Sequence, residues 1–279
     1  MDAKEGVLAH QGLWRSRRGG ILLLAISFGV GLALTAGGVR AQSPAGDIPQ
    51  GKPTLVAAAA NLQPALAELV PLFERQQAGR IALSLGASSN LVRQIQQGLP
   101  AELFLSADED FAIRLHDAGL TTDRGVVYAT GRIVLVVPKV SSLALDASLQ
   151  GLKAAAPGLG KFAIANPELA PYGRAARQAL EKQGIWPALQ PKLVIGENIA
   201  QTTQYVSTGS AQAGITALSL VLAPAVAGQL RHVVISDDLH APIRQRMVLM
   251  KTASPGARAF YDFLQSPAAR AVLLRHGYQ

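Results

Sequence analysis

Residues 80–108 read RIALSLGASSNLVRQIQQGLPAELFLSAD. The stretch opens on a β-rich run, 80–85, and passes through a turn of small and hydroxyl residues. Apolar residues at helical spacing follow over 90–97, and Gly98 and Pro100 stop that helix. A short apolar run, 103–106, comes next. Strand, helix, strand in immediate succession is the βαβ unit of a parallel sheet. The alternation continues outward on both sides. Upstream, 54–60 reads as an apolar strand, and 63–77 spaces Leu66, Leu69, Val70 and Phe73 as a helix does. Downstream, 109–118 is a helix ended by Gly119, and the β-rich runs 126–130 and 133–137 are separated by Gly131 and Arg132. Further strands are expected at 162–165, 192–195, 214–216, 232–235 and 246–250. Further helices are expected at 149–155, 173–183, 199–208, 219–223, 257–265 and 268–275. The βαβ unit thus occurs before Gly131 and again after it. The expected class is α/β, with two lobes of about 100 residues each, every lobe a mostly parallel sheet flanked by helices.

The first residues do not belong to that pattern. Arg15, Arg17 and Arg18 precede an uncharged stretch, 21–39, and Val39-Arg40-Ala41 leads to Gln42. A basic region, an apolar core and a small-residue end make a secretory signal, with cleavage expected after Ala41. Gly29, Gly31, Ser27 and Thr35 in the apolar part argue against a membrane anchor. Residues 42–52, rich in Pro, Gly and polar residues, read as a flexible leader. The chain has no cysteine, so disulfides, thiolate metal sites and a lipid-bearing cysteine are all excluded. Taking away the signal removes five basic and two acidic residues, and the formal charge falls from +8 to +5. Lys and Arg are scattered over the remainder without aromatic interleaving, which does not suit nucleic acid. A mild positive balance does suit an anionic ligand.

In open α/β sheets ligands bind at the carboxyl ends of strands, where helices begin. Four such junctions stand out: Ala59-Ala60-Asn61-Leu62, Gly86-Ala87-Ser88-Ser89-Asn90, the loop 166–173 ending Pro171-Tyr172-Gly173, and Gly196-Glu197-Asn198-Ile199. Helix starts carry unpaired N–H groups and partial positive charge. Several converging on one point bind an anion without Lys or Arg, and Asn61 and Ser88 can add side-chain donors. A cradle of neutral donors fits a fully ionised oxyanion, because a protonated oxygen would set donor against donor. Ser or Asn ahead of a helix is also an ordinary cap. The signal lies in four loops spread over two halves, not in any one of them.

The motifs Val56-Ala57-Ala58-Ala59-Ala60-Asn61-Leu62, Ala87-Ser88-Ser89-Asn90-Leu91-Val92-Arg93-Gln94-Ile95 and Gly98-Leu99-Pro100-Ala101-Glu102-Leu103-Phe104-Leu105-Ser106-Ala107-Asp108 carry a resemblance. So do Asn166-Pro167-Glu168, Pro171-Tyr172-Gly173 and Phe260-Tyr261-Asp262-Phe263-Leu264. The chain resembles the periplasmic molybdate-binding proteins of molybdate ABC transporters over residues 53–278. The resemblance implies a type II periplasmic binding protein fold, whose two lobes are joined by crossover strands near Gly131 and near 234–236. Residues 53–130 plus 236–279 would form lobe 1, and 131–235 lobe 2. It implies ligand contacts at Asn61, at Ser88, at Tyr172 and at the backbone N–H of Ile199, with Ala60 beside Asn61 where some members carry a hydroxyl. It also implies molybdate or tungstate as ligand, no cofactor, no bare metal cation, a membrane permease as partner, a periplasmic location and a monomeric state. One departure is clear: Ala217 stands where some members place a tyrosine, so the chain resembles the subgroup with its tyrosine at Tyr172. Thr216 could compensate, although a buried strand threonine is the plainer reading.

Other chemistry finds less support. Asp108-Glu109-Asp110 reads as a cap with acidic residues favouring a helix start, rather than as a metal site. Asp237, Asp238 and His240 read as a solvated loop, and the histidines show no paired spacing. No nucleophile elbow, phosphate loop or zinc motif occurs, so catalysis is not expected. Sulfate or another tetrahedral oxyanion on the same architecture, and a sensor that serves no transporter, remain the alternative readings.

Overall fold

The computed structural model describes residues 52–77 and 79–279; the expected signal, 1–41, and residues 42–51 of the leader lie outside the described residues. β1 (Thr54–Ala59) runs through a 3-10 turn (Ala60–Leu62) into α1 (Gln63–Gln76). Then come β2 (Ile81–Gly86), α2 (Ser88–Gln96), β3 (Leu103–Leu105), α3 (Glu109–Asp117) and β4 (Val126–Gly131). β5 (Ile133–Pro138), α4 (Gln150–Ala155), β6 (Phe162–Ala165), α5 (Pro171–Lys182) and α6 (Trp186–Leu189) follow. After them lie β7 (Leu193–Gly196), α7 (Ile199–Ser207), β8 (Ala213–Ala217), α8 (Leu218–Val221), α9 (Pro224–Ala227) and β9 (Leu230–Val234). β10 (Ile243–Leu249), α10 (Pro255–Leu264) and α11 (Pro267–Arg275) complete the order.

The strands form two five-stranded sheets, ordered β2-β1-β3-β10-β4 and β7-β6-β8-β5-β9. The chain leaves the first sheet between β4 and β5, at Arg132, and returns to it between β9 and β10. β1 pairs in parallel with β2 and β3, and β6 with β7 and β8. β10 is antiparallel to β3 and β4, and β5 to β8 and β9. Both sheets are therefore mixed. The parallel pairings come from the βαβ units, and the antiparallel ones surround the strands that lead into or out of the crossings, which need no crossover helix.

The inner strands β1, β3, β5, β6 and β8 are covered on both faces, which is why they read as unbroken apolar runs rather than as alternation, whereas the edge strands β2 and β7 leave Leu83, Leu85 and Ile195 exposed. Val56 and Ala58 of β1 pack with Leu66, Leu69 and Phe73 of α1 and with Phe260 of α10. Ala57, between them, packs with Leu91 of α2 and Phe111 of α3. Phe73 meets Phe260 edge-on at 4.9 Å between ring centroids and Phe263 at 5.5 Å. In the second sheet Ile133, Leu135 and Val137 face one apolar cluster and Val134 and Val136 another. Gly98, at φ +101°, ends α2 in a left-handed conformation that a side chain would strain.

The strand ends position the site. Ala59, the last residue of β1, and Ala60, Ala87 and Ala107, which follow β1, β2 and β3, pack in one apolar cluster with Ala170, Tyr172, Ile199 and Ala217 of the second half. Small side chains at these ends let helix starts from the two sheets approach one another.

Candidate functional site

Asn61 lies in the 3-10 turn after β1, Ser88 opens α2, Tyr172 is the second residue of α5 and Ile199 opens α7. All are enclosed: Asn61 is 0% exposed, Ser88 and Tyr172 1%, Ala60 and Ile199 4%. The structure brings them together. Asn61 Nδ2 lies 3.3 Å from Tyr172 Oη, and the Ser89 N–H donates to the Leu169 carbonyl at 3.3 Å, joining the start of α2 to the loop before α5.

The helix starts differ in how they are capped. Asn198 caps α7, its Oδ1 accepting from the Ala200 and Gln201 N–H groups at 3.0 and 3.1 Å. Ala87 before α2 and Ala170 before α5 make no side-chain cap, and the turn at Ala60 has none either. Ser88 and Asn61 are thus not caps. Ser88 Oγ accepts from the Ala107 N–H at 3.0 Å, which leaves its own proton to give. Ser89 Oγ is buried without a partner among the described residues. First-turn N–H groups have no intrahelical acceptor, and the positive end of each helix adds to their pull on an anion.

The nearby guanidiniums are engaged elsewhere. Arg93 donates to Asn90 Oδ1 on the exposed side of α2. Arg174, one turn into α5, pairs with Asp108 and lies 3.6 Å from Asp110. Asp108 also caps α3 by accepting from the Phe111 N–H at 3.0 Å. Burial raises the Asp108 pKa, against the pull of the Phe111 N–H and of Arg174. The pair links the start of α3 in the first half to α5 in the second. Beside it runs a groove of about 400 Å³, with Asp110, Gln178 and Arg244 among its lining residues. Asp237, Asp238 and His240 lie apart from the cradle, in the connection to β10, where the Asp238 carbonyl accepts from Lys182.

A polar network backs the cradle, and sequence reasoning missed most of it. Asn61 Nδ2 donates to Tyr278 Oη at 2.8 Å and to Gln245 Oε1 at 3.0 Å. Gln245 Nε2 donates to Tyr172 Oη at 2.8 Å, and Tyr128 Oη donates to Gln245 Oε1 at 2.9 Å. The Asn61 carbonyl accepts from Ser219 Oγ at 2.8 Å and from Tyr278 Oη at 2.9 Å. The Tyr172 hydroxyl therefore faces this network. Burial pushes the pKa of Tyr128, Tyr172 and Tyr278 above the usual tyrosine value. Gly131 makes room for the network: a Cβ there would lie 2.1 Å from Tyr172 Oη and 2.6 Å from Gln245 Nε2. The one signal available in sequence was Gly131 itself, at the crossing between two β-rich runs. Thr216 is a buried strand residue, bonded to Thr203 Oγ1 at 2.6 Å and to the Ile199 carbonyl at 3.3 Å. Its hydroxyl fastens α7 to β8. Ala217 is buried and supplies no side-chain donor.

Comparison with known proteins adds an independent line. Residues 54–279 match the family of bacterial extracellular solute-binding proteins. The chain is 32% identical to the molybdate-binding protein ModA of Rhodobacter capsulatus, over 94% of this chain and 96% of that one. The periplasmic molybdate-binding protein of Azotobacter vinelandii superposes with a TM-score of 0.73 at 29% identity, covering 81% of this chain and 98% of that one. The sulfate-binding protein SubI of Mycobacterium tuberculosis superposes with a TM-score of 0.70, covering 82% of this chain and 86% of that one, but at 18% identity it shares the fold alone.

Proposed function

The chain belongs to the bacterial extracellular solute-binding proteins, and from that premise we propose that it is the substrate-binding component of an ABC importer and that it captures molybdate. It is a binding protein and not an enzyme. Tungstate, equal in charge and shape, is accepted alike. The observation that carries the reading is the enclosed cradle of helix starts and neutral donors, in a chain so similar along its length to a molybdate-binding protein.

The chemistry follows from the donor set. A fully ionised tetrahedral oxyanion offers acceptors in every direction. The N–H groups not already engaged at the starts of α2, α5 and α7, and the Ser88 hydroxyl, offer donors. Helix dipoles favour the negative charge without a side-chain cation. A ligand that keeps a proton would set donor against donor. The elements that supply these groups come from both sheets, so the anion would join the two halves, and the joined shape is what a membrane permease would meet. Export by the N-terminal signal would deliver the protein, as a monomer, to the periplasm.

Isothermal titration of the protein lacking residues 1–41 against molybdate, tungstate and sulfate tests the reading. Tight binding of the first two and weak binding of sulfate is expected. Sulfate bound as well as molybdate, or better, would overturn it.

A further inference from the structure

Gln245 is fully buried on β10. At this point the pairing with β4 shifts register: Gln245 lies opposite Ala129 and Arg246 opposite Val127, so Tyr128 is the extra residue. The irregularity sets Tyr128 and Gln245 side by side, and Gln245 reaches Asn61, Tyr128 and Tyr172 at 2.8 to 3.0 Å. Two capacities in this arrangement are unused. Asn61 Oδ1, buried, has no partner among the described residues. Tyr172 Oη accepts from both amides, so its own proton has no acceptor among these groups.

A carboxamide presents donors on one side and an acceptor on the other, and a half-turn exchanges them on the same heavy-atom positions. Turning Asn61 alone would face its oxygen toward Gln245 Oε1, acceptor against acceptor. Turning both amides together gives a second consistent pattern. Tyr172 then donates to Gln245 Oε1. Gln245 Nε2 donates to Asn61 Oδ1 and to Tyr128 Oη, and Tyr128 donates to the Ser106 carbonyl, 3.2 Å away. Tyr278 donates to Asn61 Oδ1, while the Asn61 carbonyl keeps Ser219. Every inner group is paired, and Asn61 Nδ2 occupies the place of the unpaired oxygen.

We propose that Gln245 is a positioning residue that sets the polarity of the Asn61 amide: an entering oxyanion selects the turned pattern, in which Asn61 Nδ2 donates to the anion and Gln245 Nε2 supports the Asn61 oxygen. The inference rests on the oxyanion-binding reading above and deepens it. In the turned pattern the cradle presents donors throughout, which suits a fully ionised anion. In the other pattern Asn61 presents an acceptor, which suits a ligand that carries a proton.

Two measurements test it. In the ¹⁵N-labelled wild-type protein, saturation with molybdate is expected to move the side-chain amide resonances of both Asn61 and Gln245 and to slow exchange of the Asn61 amide protons. If molybdate binds while these resonances stay in place, the inference fails and the proposed function stands. If neither molybdate nor tungstate binds, both fail together. The second measurement uses Gln245→Glu, whose carboxylate only accepts and so holds Asn61 Nδ2 inward. The groups that face it from β4, α5, the turn after β1 and the chain end are Tyr128, Tyr172, Asn61 and Tyr278, none of which is charged near neutrality. Molybdate affinity of this variant is expected to fall about ten- to a hundredfold above the glutamate's titration. It should recover on acidification, because the protonated acid again offers one donor and one acceptor, while the wild type stays level over the same range. Wild-type affinity for Gln245→Glu at every pH would overturn the inference, and should the variant not fold, the amide resonances of the wild type decide alone.

Discussion

Ser88 shows what a hydroxyl does at a helix start when it is not the cap. Ala87 holds the cap position, and Ser88 Oγ instead accepts from the Ala107 N–H, so the Ser88 proton can turn to a ligand. Ser88→Ala is expected to weaken molybdate binding by about 1.5–3 kcal/mol, the range for a hydrogen bond to a charged group. It also leaves the Ala107 N–H unpaired in the interior, so stability should fall by about 1–3 kcal/mol. Titration calorimetry and urea unfolding separate the two effects; an affinity unchanged in the folded variant would reduce Ser88 to a structural role. The residue scale also marks where sequence reading stops. Asn61, Ser88, Tyr172 and Ile199 are legible because each sits beside a local event, the end of a strand and the start of a helix. Gln245, Tyr128 and Tyr278 have no such neighbour. Their relation to Asn61 spans up to 217 positions and exists only once the two sheets are built. Gln245 lies between Arg244 and Arg246, a setting that reads as an exposed edge although its side chain is fully buried.

Among the elements, the helix starts divide into those held by their own side chain and those held by packing. α7 belongs to the first kind, since Asn198 accepts from two of its N–H groups. Asn198→Ala should cost about 1 kcal/mol of stability, the usual worth of such a cap, and Asn198→Asp should retain most of it. Because Ile199 directly follows the cap, loss of stability in Asn198→Ala should be accompanied by weaker anion binding; a thermal melt together with a molybdate titration checks both. α2 and α5 lack side-chain caps and begin against the apolar cluster at the strand ends. Most elements were legible from apolar runs and glycine stops, since strands buried on both faces and helices with one apolar side leave distinct patterns. Boundaries moved where polar residues sit inside an element. β10 begins at Ile243 rather than at 246, because alternate residues Ile243, Gln245 and Met247 are buried while Arg244 stays outside. α5 begins at Pro171, where proline fits the first turn because its missing N–H is not needed there. The short α6, four residues from Trp186 to Leu189, carries too little periodicity to be seen in advance.

For the whole molecule, the buried network and the surface ion pairs set opposite flanks of a pH profile. Tyr128, Tyr172 and Tyr278 gather around Asn61 and Gln245, where burial raises their pKa above the ordinary 10.0. An unfolded chain would ionise these tyrosines at their ordinary value, whereas the folded chain keeps their protons. The folded state then binds more protons than the unfolded one, so stability is full below about pH 10 and is lost as pH rises from there toward the raised values. Each tyrosine held in this way contributes a slope of about 1.4 kcal/mol per pH unit. The acid flank has the reverse sign. Burial works to raise the Glu109 pKa, but Arg246 at 2.8 Å and Arg244 outweigh it and lower the value below 4.5. Glu68 is lowered in the same way by Arg275 and His276, which outweigh its slight burial. These carboxylates add stability above about pH 4.5 that disappears as pH falls through their lowered values, and because Glu68 is exposed and Glu109 partly so, solvent screening should keep the acid flank shallow. Unfolding midpoints in urea measured from acid to strong alkali should therefore give a broad plateau, a gentle acid decline and a steep alkaline one. In a variant with Tyr205→Phe and Tyr261→Phe, which leaves only these three of the chain's five tyrosines, tyrosinate absorbance should appear together with the loss of helix signal on the alkaline side, not ahead of it. Tyrosines that ionise while the fold is intact would show that these hydroxyls are open to water, and that the network around Asn61 is not closed in solution.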